Sequence, residues 1–374
     1  MRKNNAITLA VAGLFIWSTA SLADDAKIAQ AVTPLPDDLK AEAGVYEYDD
    51  DGNRVTYREA GNHVECLPKD DNGFTMCWPT STAARRDLSA KLSATGLSGG
   101  ELQAALRQAE ADGEVEPYPM GTMLYRAYDN DDRIQLLWVM LLPGAASDAM
   151  GMSTLSQRDN SLAGQGKPWM MSEGTPGAHL MIPINGTEIS NAGGASMALD
   201  TGAIKDPIEQ ATLPLPEDLR PFAAVIDYDD EGNRKVLRPG RNAIECQVRN
   251  EQTGFTRCYH RSLGAEADMQ AKLMAEGKSM QEVMAATSEA RESGELTPPP
   301  FGSIAYRLYE EDDRLKLLWV VRVPNATSEE LGLSTASQRD ASLEGRGLPW
   351  MMREGTPAAH LMIPINGTEL SNRK

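Results

Sequence analysis

The chain contains one long stretch twice. Residues 166–187, GKPWMMSEGTPGAHLMIPINGT, return as residues 347–368, GLPWMMREGTPAAHLMIPINGT. The likeness extends outward, because residues 34–189 align with residues 214–370 at an offset of 180, which becomes 181 after one insertion between two cysteines. Self-similarity over a domain-sized length indicates an internal duplication, so both copies are expected to fold alike.

The N-terminus and the segment between the copies predict the domain organisation. Residues 1–23 have a basic start, an apolar run and small residues before a cleavage point, which is the pattern of a secretory signal peptide. Repeat domain 1 is expected at 34–189 and repeat domain 2 at 213–374. The intervening segment 190–212 is rich in Gly, Ala and Ser, and we predict that it is a linker.

The signal peptide predicts a protein that is periplasmic or secreted. Beyond it, no segment has the roughly 20 apolar residues needed to cross a bilayer, so no integral membrane segment is expected after cleavage. The 36 basic and 54 acidic residues give a net charge of −18, which repels nucleic acid. The expected partner is therefore an unidentified small ligand or another protein.

The four cysteines lie in matching positions of the two copies, with spacings C-x10-C and C-x11-C. An even number of cysteines in an exported protein usually pairs. We therefore predict one disulfide in each domain, Cys66–Cys77 and Cys246–Cys258. No C-x2-C pair occurs and the chain has only 4 histidines, so neither a metal centre nor a cofactor is predicted.

The order of secondary-structure signals is the same in both copies and predicts an α+β fold. GVYEYDDDGNRVTYRE and AVIDYDDEGNRKVLRP are predicted hairpins with an Asp-Gly or Glu-Gly turn, followed by short strands at HVEC and AIEC. Capping-box spacing at Ser98 and Glu101, and at Ser279 and Glu282, starts a helical region. A second hairpin with a wholly apolar strand follows, and AHLMIPI is the last strand. Each domain is thus predicted to be a mainly antiparallel sheet with a helical layer and one disulfide.

The two copies have diverged unevenly. Across 151–189 and 332–370, 30 of 39 aligned residues are identical, whereas across 83–115 and 264–296 only 14 of 33 are. The first pair of segments is Gly-rich, and packing alone constrains loops weakly. This retained segment is therefore the predicted site of function, with a role in the folding core as the alternative.

The retained segment supplies three sets of candidate residues. His179 and His360 are the only histidines that both copies share, and each is suited to act as a general base, or else to lock its loop through backbone carbonyls. Arginine and glutamine side chains can bind a carboxylate or a sugar by hydrogen bonds, and an exposed tryptophan can contact a bound ligand. A soft Met and His set suits Cu(I). The predicted catalytic residues are His179, His360, Ser156, Ser337, Asp159 and Asp340; the predicted ligand-binding residues are Arg158, Arg339, Gln157, Gln338, Trp169 and Trp350; the copper alternative uses Met170, Met171, Met181, Met351, Met352 and Met362 with the two histidines.

A secretory signal, N-x-x-E-C ahead of a second cysteine, and a later PW with GTP-x-AHLMI together resemble a group of exported bacterial proteins of uncharacterised function. The resemblance covers most of each repeat. It implies export and a paired-cysteine loop, and it implies no activity and no catalytic residues.

These observations favour an exported tandem-repeat protein that binds a small ligand or a protein partner at one site per repeat. Two equivalent sites favour a binding function over catalysis, because two linked sites increase the overall affinity for a partner without any new contact. The alternatives are a hydrolase with His179 and His360 as general bases, and a copper-handling protein. Whether the protein is an enzyme, and how the two repeats pack, stay open from sequence.

Overall fold

The computed structural model describes residues 19–193, 199–311 and 313–369, and it contains two similar units. The elements of the first unit are α1 (Thr19–Ala31), α2 (Asp37–Lys40), β1 (Gly44–Tyr48), β2 (Arg54–Arg58), β3 (Val64–Leu67), β4 (Phe74–Pro79), α3 (Ala83–Ala94), α4 (Gly99–Ala111), β5 (Met123–Tyr128), β6 (Leu136–Leu141), α5 (Ser147–Met150), α6 (Arg158–Leu162), β7 (Trp169–Met171) and β8 (His179–Pro183). Those of the second are α7 (Pro207–Thr212), β9 (Ala224–Tyr228), β10 (Arg234–Arg238), β11 (Ile244–Gln247), β12 (Thr256–His260), α8 (Gly264–Ala275), α9 (Met280–Glu292), β13 (Ile304–Leu308), β14 (Leu317–Arg322), α10 (Ser328–Leu331), α11 (Arg339–Leu343), β15 (Trp350–Met352) and β16 (His360–Pro364).

Each unit has one eight-stranded sheet, and the strand order is the same in both. The first sheet runs β2-β1-β3-β4-β5-β6-β8-β7, and the second runs β10-β9-β11-β12-β13-β14-β16-β15. All neighbours are antiparallel except β1 with β3 and β9 with β11. The predicted α+β class, with two tandem domains, is therefore confirmed.

The first hairpin of each sheet turns where its sequence predicts. The carboxylate of Asp49 accepts hydrogen bonds from the backbone N–H groups of Asp51 and Asn53, which holds the tight turn closed. Gly52 follows with φ of 74°, a left-handed conformation that glycine adopts without a Cβ penalty. Asp229 and Gly232 repeat the arrangement in the second unit.

Both predicted disulfides are present, Cys66–Cys77 and Cys246–Cys258. In each unit the two cysteines lie directly opposite on neighbouring antiparallel strands, with Cα atoms 4.0 Å apart. The predicted cysteine loop is therefore a hairpin, and its second half is a strand that sequence patterning does not reveal. By the chain-entropy model each bond stabilises the fold by about 3 kcal/mol.

A pair of helices covers the outer face of each sheet, and the ion pair between these helices has opposite polarity in the two units. Arg85 of α3 pairs with Glu110 of α4 at 2.7 Å. In the second unit Glu266 of α8 accepts from Arg291 of α9 at 3.0 Å, so the same two positions carry the charges exchanged. The predicted capping box is formed by Ser279 and Glu282, whereas Ser98 caps α4 without a side-chain bond to the described residues.

The two units share one hydrophobic core. A single cluster of buried side chains includes residues from the inner faces of both sheets, among them Tyr125 and Trp138 from the first and Tyr306 and Trp319 from the second. Smaller clusters lie on each outer face, under the helices. The inner faces thus bury each other, and the two repeats pack around one core.

Reciprocal hydrogen bonds relate the two units by an approximate two-fold axis. The Tyr306 hydroxyl donates to the Gly151 carbonyl at 2.7 Å, and the Tyr125 hydroxyl donates to the Gly332 carbonyl at 2.5 Å. The side chains of Asn185 and Asn366 each donate to the backbone carbonyl of the other. Ser153 bonds Asp218, and Ser334 bonds Asp38, in the same reciprocal way.

These reciprocal contacts explain why 151–189 and 332–370 have changed so little. In a two-fold interface the same surface patch of each unit contacts its counterpart on the other. A substitution in one copy therefore has to fit against the unchanged residues of the other copy. Gly151, Ser153 and Asn185, with their equivalents, lie in this interface. The retained segment is thus an interface element.

The predicted signal peptide and linker fall partly outside the described residues. Residues 1–18 and 194–198 are outside them, and the predicted cleavage point after residue 23 falls within α1. Within 190–212, α7 buries Ala211 and Thr212, so that part packs as structure. The exact domain boundaries stay a prediction.

Candidate functional site

The predicted catalytic residues make local bonds and do not bond one another within the described residues. His179 donates from Nδ1 to the Gly177 carbonyl at 2.7 Å, and His360 does the same to Ala358 at 2.8 Å, because a carbonyl can only accept. Each histidine therefore fixes the loop before its own strand. Ser156 and Ser337 accept from the backbone N–H groups of Arg158 and Arg339, and Asp159 and Asp340 pair with the same two arginines.

The predicted ligand-binding arginines tie a short helix to a turn. Arg158 donates to the Asp132 carbonyl at 3.1 Å, and Arg339 donates to the Asp313 carbonyl at 2.8 Å. The backbone carbonyls of Gln157 and Gln338 accept hydrogen bonds from the hydroxyls of Ser161 and Ser342. Trp169 and Trp350 are each only 3% exposed, and Trp169 lines a pocket of about 270 Å³ in the first unit together with Ser156.

The methionines of the copper alternative alternate between the two faces of each sheet. Met170 and Met351 face the shared core, whereas Met171 lies opposite His179 and Met352 opposite His360 at the sheet edge. Met181 and Met362 lie on the outer face as well. No three His, Cys, Asp or Glu side chains among the described residues are grouped to hold a metal. The methionine site stays a prediction.

A groove of about 900 Å³ opens in the second unit beside α9. Its walls come from four segments: the C-terminal half of α9, the proline-rich approach to β13, the loop after β14, and the loop before β16. Phe301, Pro299, Pro324 and Pro357 give it an apolar surface, and Arg353 and Glu292 supply charges. Thr356, Pro357 and Ala358, which precede His360 in the retained segment, form part of its wall.

Two rim residues of this groove have left-handed backbones without being glycine. Asn325 has φ of 63° and Arg353 has φ of 55°. Such conformations cost free energy for a residue with a Cβ, and they concentrate at sites where geometry matters for function. In the first unit Ser172, at the position of Arg353, has φ of 54°, so that conformation is common to both units, whereas Gly144 occupies the position of Asn325 and the second unit alone adds a side chain there.

The groove adjoins a concentration of positive charge in an otherwise acidic chain. Burial, and then the charges of Arg322, Arg307 and Arg353, lower the pKa of His360 to about 4, although its bond to Ala358 opposes the shift. Its imidazole is therefore neutral at physiological pH. Arg353 itself has no ion-pair partner in the part of the chain that the structure describes.

No protein-family model, curated protein or solved structure matches this chain. Function is therefore inferred from the chemistry of the groove. In the regions 19–193, 199–311 and 313–369, no helix has the length and apolar character that a membrane crossing requires.

The residues that distinguish the groove are those in which the two copies differ. Where the groove of the second unit has Phe301 and Arg353, the first unit has Met120 and Ser172. A search for what the two copies share passes over these positions. The difference is nevertheless visible when the repeats are aligned, because the second copy gains an aromatic ring at one position and a positive charge at the other.

The lowered pKa of His360 predicts a pH-dependent stability. The unfolded chain binds a proton near pH 6.5 and the folded protein near pH 4, so unfolding takes up a proton between these values. This contribution is present above pH 6.5 and is lost as the pH falls towards 4. From pH 7 to pH 5 we expect wild type to lose about 1–2 kcal/mol more than His360→Asn, after discounting for the partial exposure of the ring. Urea unfolding at each pH measures the difference.

The equivalent substitution in the first unit is the control. His179 makes the same bond to its loop, but Leu141 and Ser172 replace the neighbouring arginines. His179→Asn therefore measures, at pH 7, what the loss of the loop bond alone does to the free energy of unfolding. Parallel curves for wild type and His360→Asn would contradict the assignment.

Proposed function

We propose that this protein is an exported tandem-repeat binding protein, and that its second domain binds a small ligand with an apolar body and an acidic group. The observation that carries this proposal is a single groove wall that combines Phe301 and prolines with the guanidinium of Arg353, which pairs with no carboxylate among the described residues. Two disulfide-bonded sheet domains are consistent with export, because disulfides persist in oxidising compartments. A periplasmic or secreted location is part of the proposal.

The size and lining of the groove support a small-molecule ligand. Ligand sites in proteins typically have volumes of roughly 300–1,000 Å³ and apolar walls with a few polar groups that fix orientation. The groove falls in this range at about 900 Å³. Apolar contact with Phe301 and the prolines would supply most of the affinity, and the guanidinium would select the acidic end.

Electrostatics also favour an acidic ligand. A guanidinium fork binds a carboxylate with two parallel hydrogen bonds. Arg353 adds to the charges of Arg322 and Arg307 that act on His360, so the field of these three arginines at that histidine is positive although the whole chain carries −18. An acidic ligand would thus be drawn to this end of the second unit and away from the remaining surface.

Calorimetric titration with octanoate and 3-phenylpropionate tests the proposal. We expect binding with a Kd in the micromolar range, and at least tenfold weaker binding of the matching amides, which lack the charge. Arg353→Ser and Phe301→Met each install the residue that the first unit carries at the same position. Each variant should weaken binding of the acids about tenfold, because each removes one of the two recognition elements.

The matched control is Ser172→Ala, which alters the first unit at the position equivalent to Arg353. It should bind both acids like wild type. Equal affinity for acids and amides, or unchanged affinity in Arg353→Ser, would overturn the role of the charge, and failure of every probe to bind wild type would overturn the ligand class.

The expected second site, in the first repeat, and the residues Arg158, Gln157, Trp169 and their equivalents stay predictions. So do the hydrolase with His179 and His360 as bases and the copper site.

A further inference from the structure

A separate cavity lies in the second unit between α8 and the outer face of the sheet. Its volume is about 50 Å³, and it is lined from the strands by Arg257, Arg307 and Arg322 and from the helix by Glu266 and Gln270. It shares no lining residue with the groove beside α9. A buried water needs only about 10–15 Å³ of such space, so the cavity can hold more than one water or one small ion.

The charges around this cavity do not balance. Arg257 and Arg307 lie directly opposite each other on β12 and β13, an arrangement of like charges that destabilises a sheet. Glu266 is the one acid in the lining, and it already accepts hydrogen bonds from Arg291 and Gln270. Three guanidinium groups therefore face the same space without a carboxylate of their own among the lining residues.

Hydrogen bonding in the cavity is also incomplete. The Nε atom of Arg322 is buried and has no hydrogen-bond partner among the residues that the structure describes. Arg257 donates to the side-chain oxygens of Gln247 and Gln270, which are neutral. Within the described ranges none of the three arginines forms an ion pair. Burial, and then the charge of Arg307, lower the pKa of Arg322 to about 10, which shows how unfavourable the charge is there.

The first unit repeats this arrangement only in part. It keeps Arg126 at the position of Arg307, but Met76 and Leu141 replace Arg257 and Arg322. Its helix carries Arg86, which stacks on the ring of Trp78, and the Nε atoms of Arg86 and Arg126 are likewise buried without a partner among the described residues. The same fold therefore accommodates apolar side chains where the second unit concentrates positive charge.

We propose that the cavity between α8 and the second sheet binds a small inorganic oxyanion, of the size of phosphate or sulfate. Guanidinium groups match the oxygens of such an anion through paired N–H donors, and the buried Nε donor of Arg322 would supply one of them. The anion would neutralise the facing arginines and couple α8 to the sheet. It would stabilise the second unit from within, independently of any ligand in the groove.

Thermal unfolding of the purified full chain tests this with sodium phosphate and sodium sulfate, each against sodium chloride at constant ionic strength. We expect either oxyanion to raise the unfolding midpoint by at least about 3 °C and in a saturable way, because a ligand that binds only the folded state stabilises it by mass action. An equal effect of chloride would overturn the oxyanion assignment, and no effect of any anion would overturn the site.

Two variants that copy the first unit locate the site. In Arg322→Leu and in Arg257→Met, the oxyanion concentration that gives half of the maximal rise in the unfolding midpoint should be at least tenfold higher than in wild type. Without oxyanion they should melt at or above the wild-type temperature, since each removes an unbalanced buried charge. A purely structural arginine would instead give a lower midpoint. A wild-type oxyanion response in both variants would place the anion elsewhere and overturn the proposal.

Arg353→Ser separates this site from the groove. It should lose affinity for octanoate while keeping the full response to phosphate and sulfate, because Arg353 does not line the cavity. Arg322→Leu should lose the response to the oxyanions. Loss of the oxyanion response in Arg353→Ser would show that the anion binds in the groove and would overturn a separate site.

Discussion

Replacing Gly186 with alanine is expected to lower the free energy of unfolding by about 3 kcal/mol. Gly186 has φ of 80°, and a Cβ built there overlaps the backbone carbonyl oxygen of Gly345 in the other unit. Backbone cannot move aside as a flexible side chain can. The alanine must therefore push the two units apart, next to the reciprocal bonds of Asn185 and Asn366. Urea denaturation followed by circular dichroism measures the loss.

Gly294 supplies the control for this substitution. Its φ is also 80°, but a Cβ there meets no described atom within 4 Å. Gly294→Ala therefore carries only the conformational cost of a left-handed alanine, about 1 kcal/mol. Gly367→Ala, which meets the Gly164 carbonyl across the same axis, should resemble Gly186→Ala. Equal losses at Gly186 and Gly294 would mean that the clash between the units is not what the alanine disturbs.

Because the two units share one core, they are expected to unfold together. Buried residues of both sheets belong to one cluster, so a separated unit would expose its whole inner face. We therefore expect one cooperative transition, with a lower midpoint in Gly186→Ala. A variant that unfolded in two steps would show that the units are separately stable.

Features set by local chemistry can be predicted from the sequence. Asp49 and Gly52 form a turn through contacts within five residues. The cysteines occupy matching positions in the two copies, which favours one disulfide within each copy. The strands β5 and β6 are predictable because an apolar strand must be buried on both faces, as β6 is. Such features require no knowledge of distant residues.

Features that depend on distant contacts cannot be predicted in this way. The parallel pairing of β1 with β3 and the short strand Trp169–Met171 follow from sheet order, which no local pattern encodes. Nor does the sequence of one repeat show which sheet face meets the other unit. The strong retention of 151–189 therefore suggests a ligand site, whereas the structure explains it through contacts such as Tyr306 with Gly151.

The candidate groove is hidden in the sequence for a related reason. Its chemistry comes from Phe301, Arg353 and the prolines, which are far apart in sequence and surround a loop of the retained segment. None of these residues forms a ligand-site motif by itself, and Phe301 also packs against the shared core. A comparison of the two copies for gained charge, rather than for identity, finds Arg353 from the sequence alone, together with other gained arginines such as Arg257 and Arg346.

Replacing Glu65 with alanine is expected to have the largest effect on stability, about 3–5 kcal/mol. Glu65 is 4% exposed, and its oxygens accept from the Tyr46 hydroxyl and the Trp78 indole at 3.1 Å each and from Arg54 at 2.7 Å. Burial lowers the pKa of Arg54, but its bonds to Glu65 and Asp87 outweigh burial and raise it, so the pair is charged. Alanine leaves two buried donors unpaired and a guanidinium with Asp87 alone.

The second unit again provides the matched comparison. Glu245 occupies the equivalent position and accepts from Arg234 at 2.9 Å, but Ile226 replaces Tyr46 and Tyr259 replaces Trp78. Glu245→Ala therefore leaves fewer buried hydrogen-bond donors unpaired, and we expect it to lower the free energy of unfolding about half as much as Glu65→Ala does. Urea unfolding of both variants measures this ratio. If the two losses were equal, the tyrosine and indole bonds of Glu65 would contribute nothing, and the arginine pair alone would account for the role of this carboxylate.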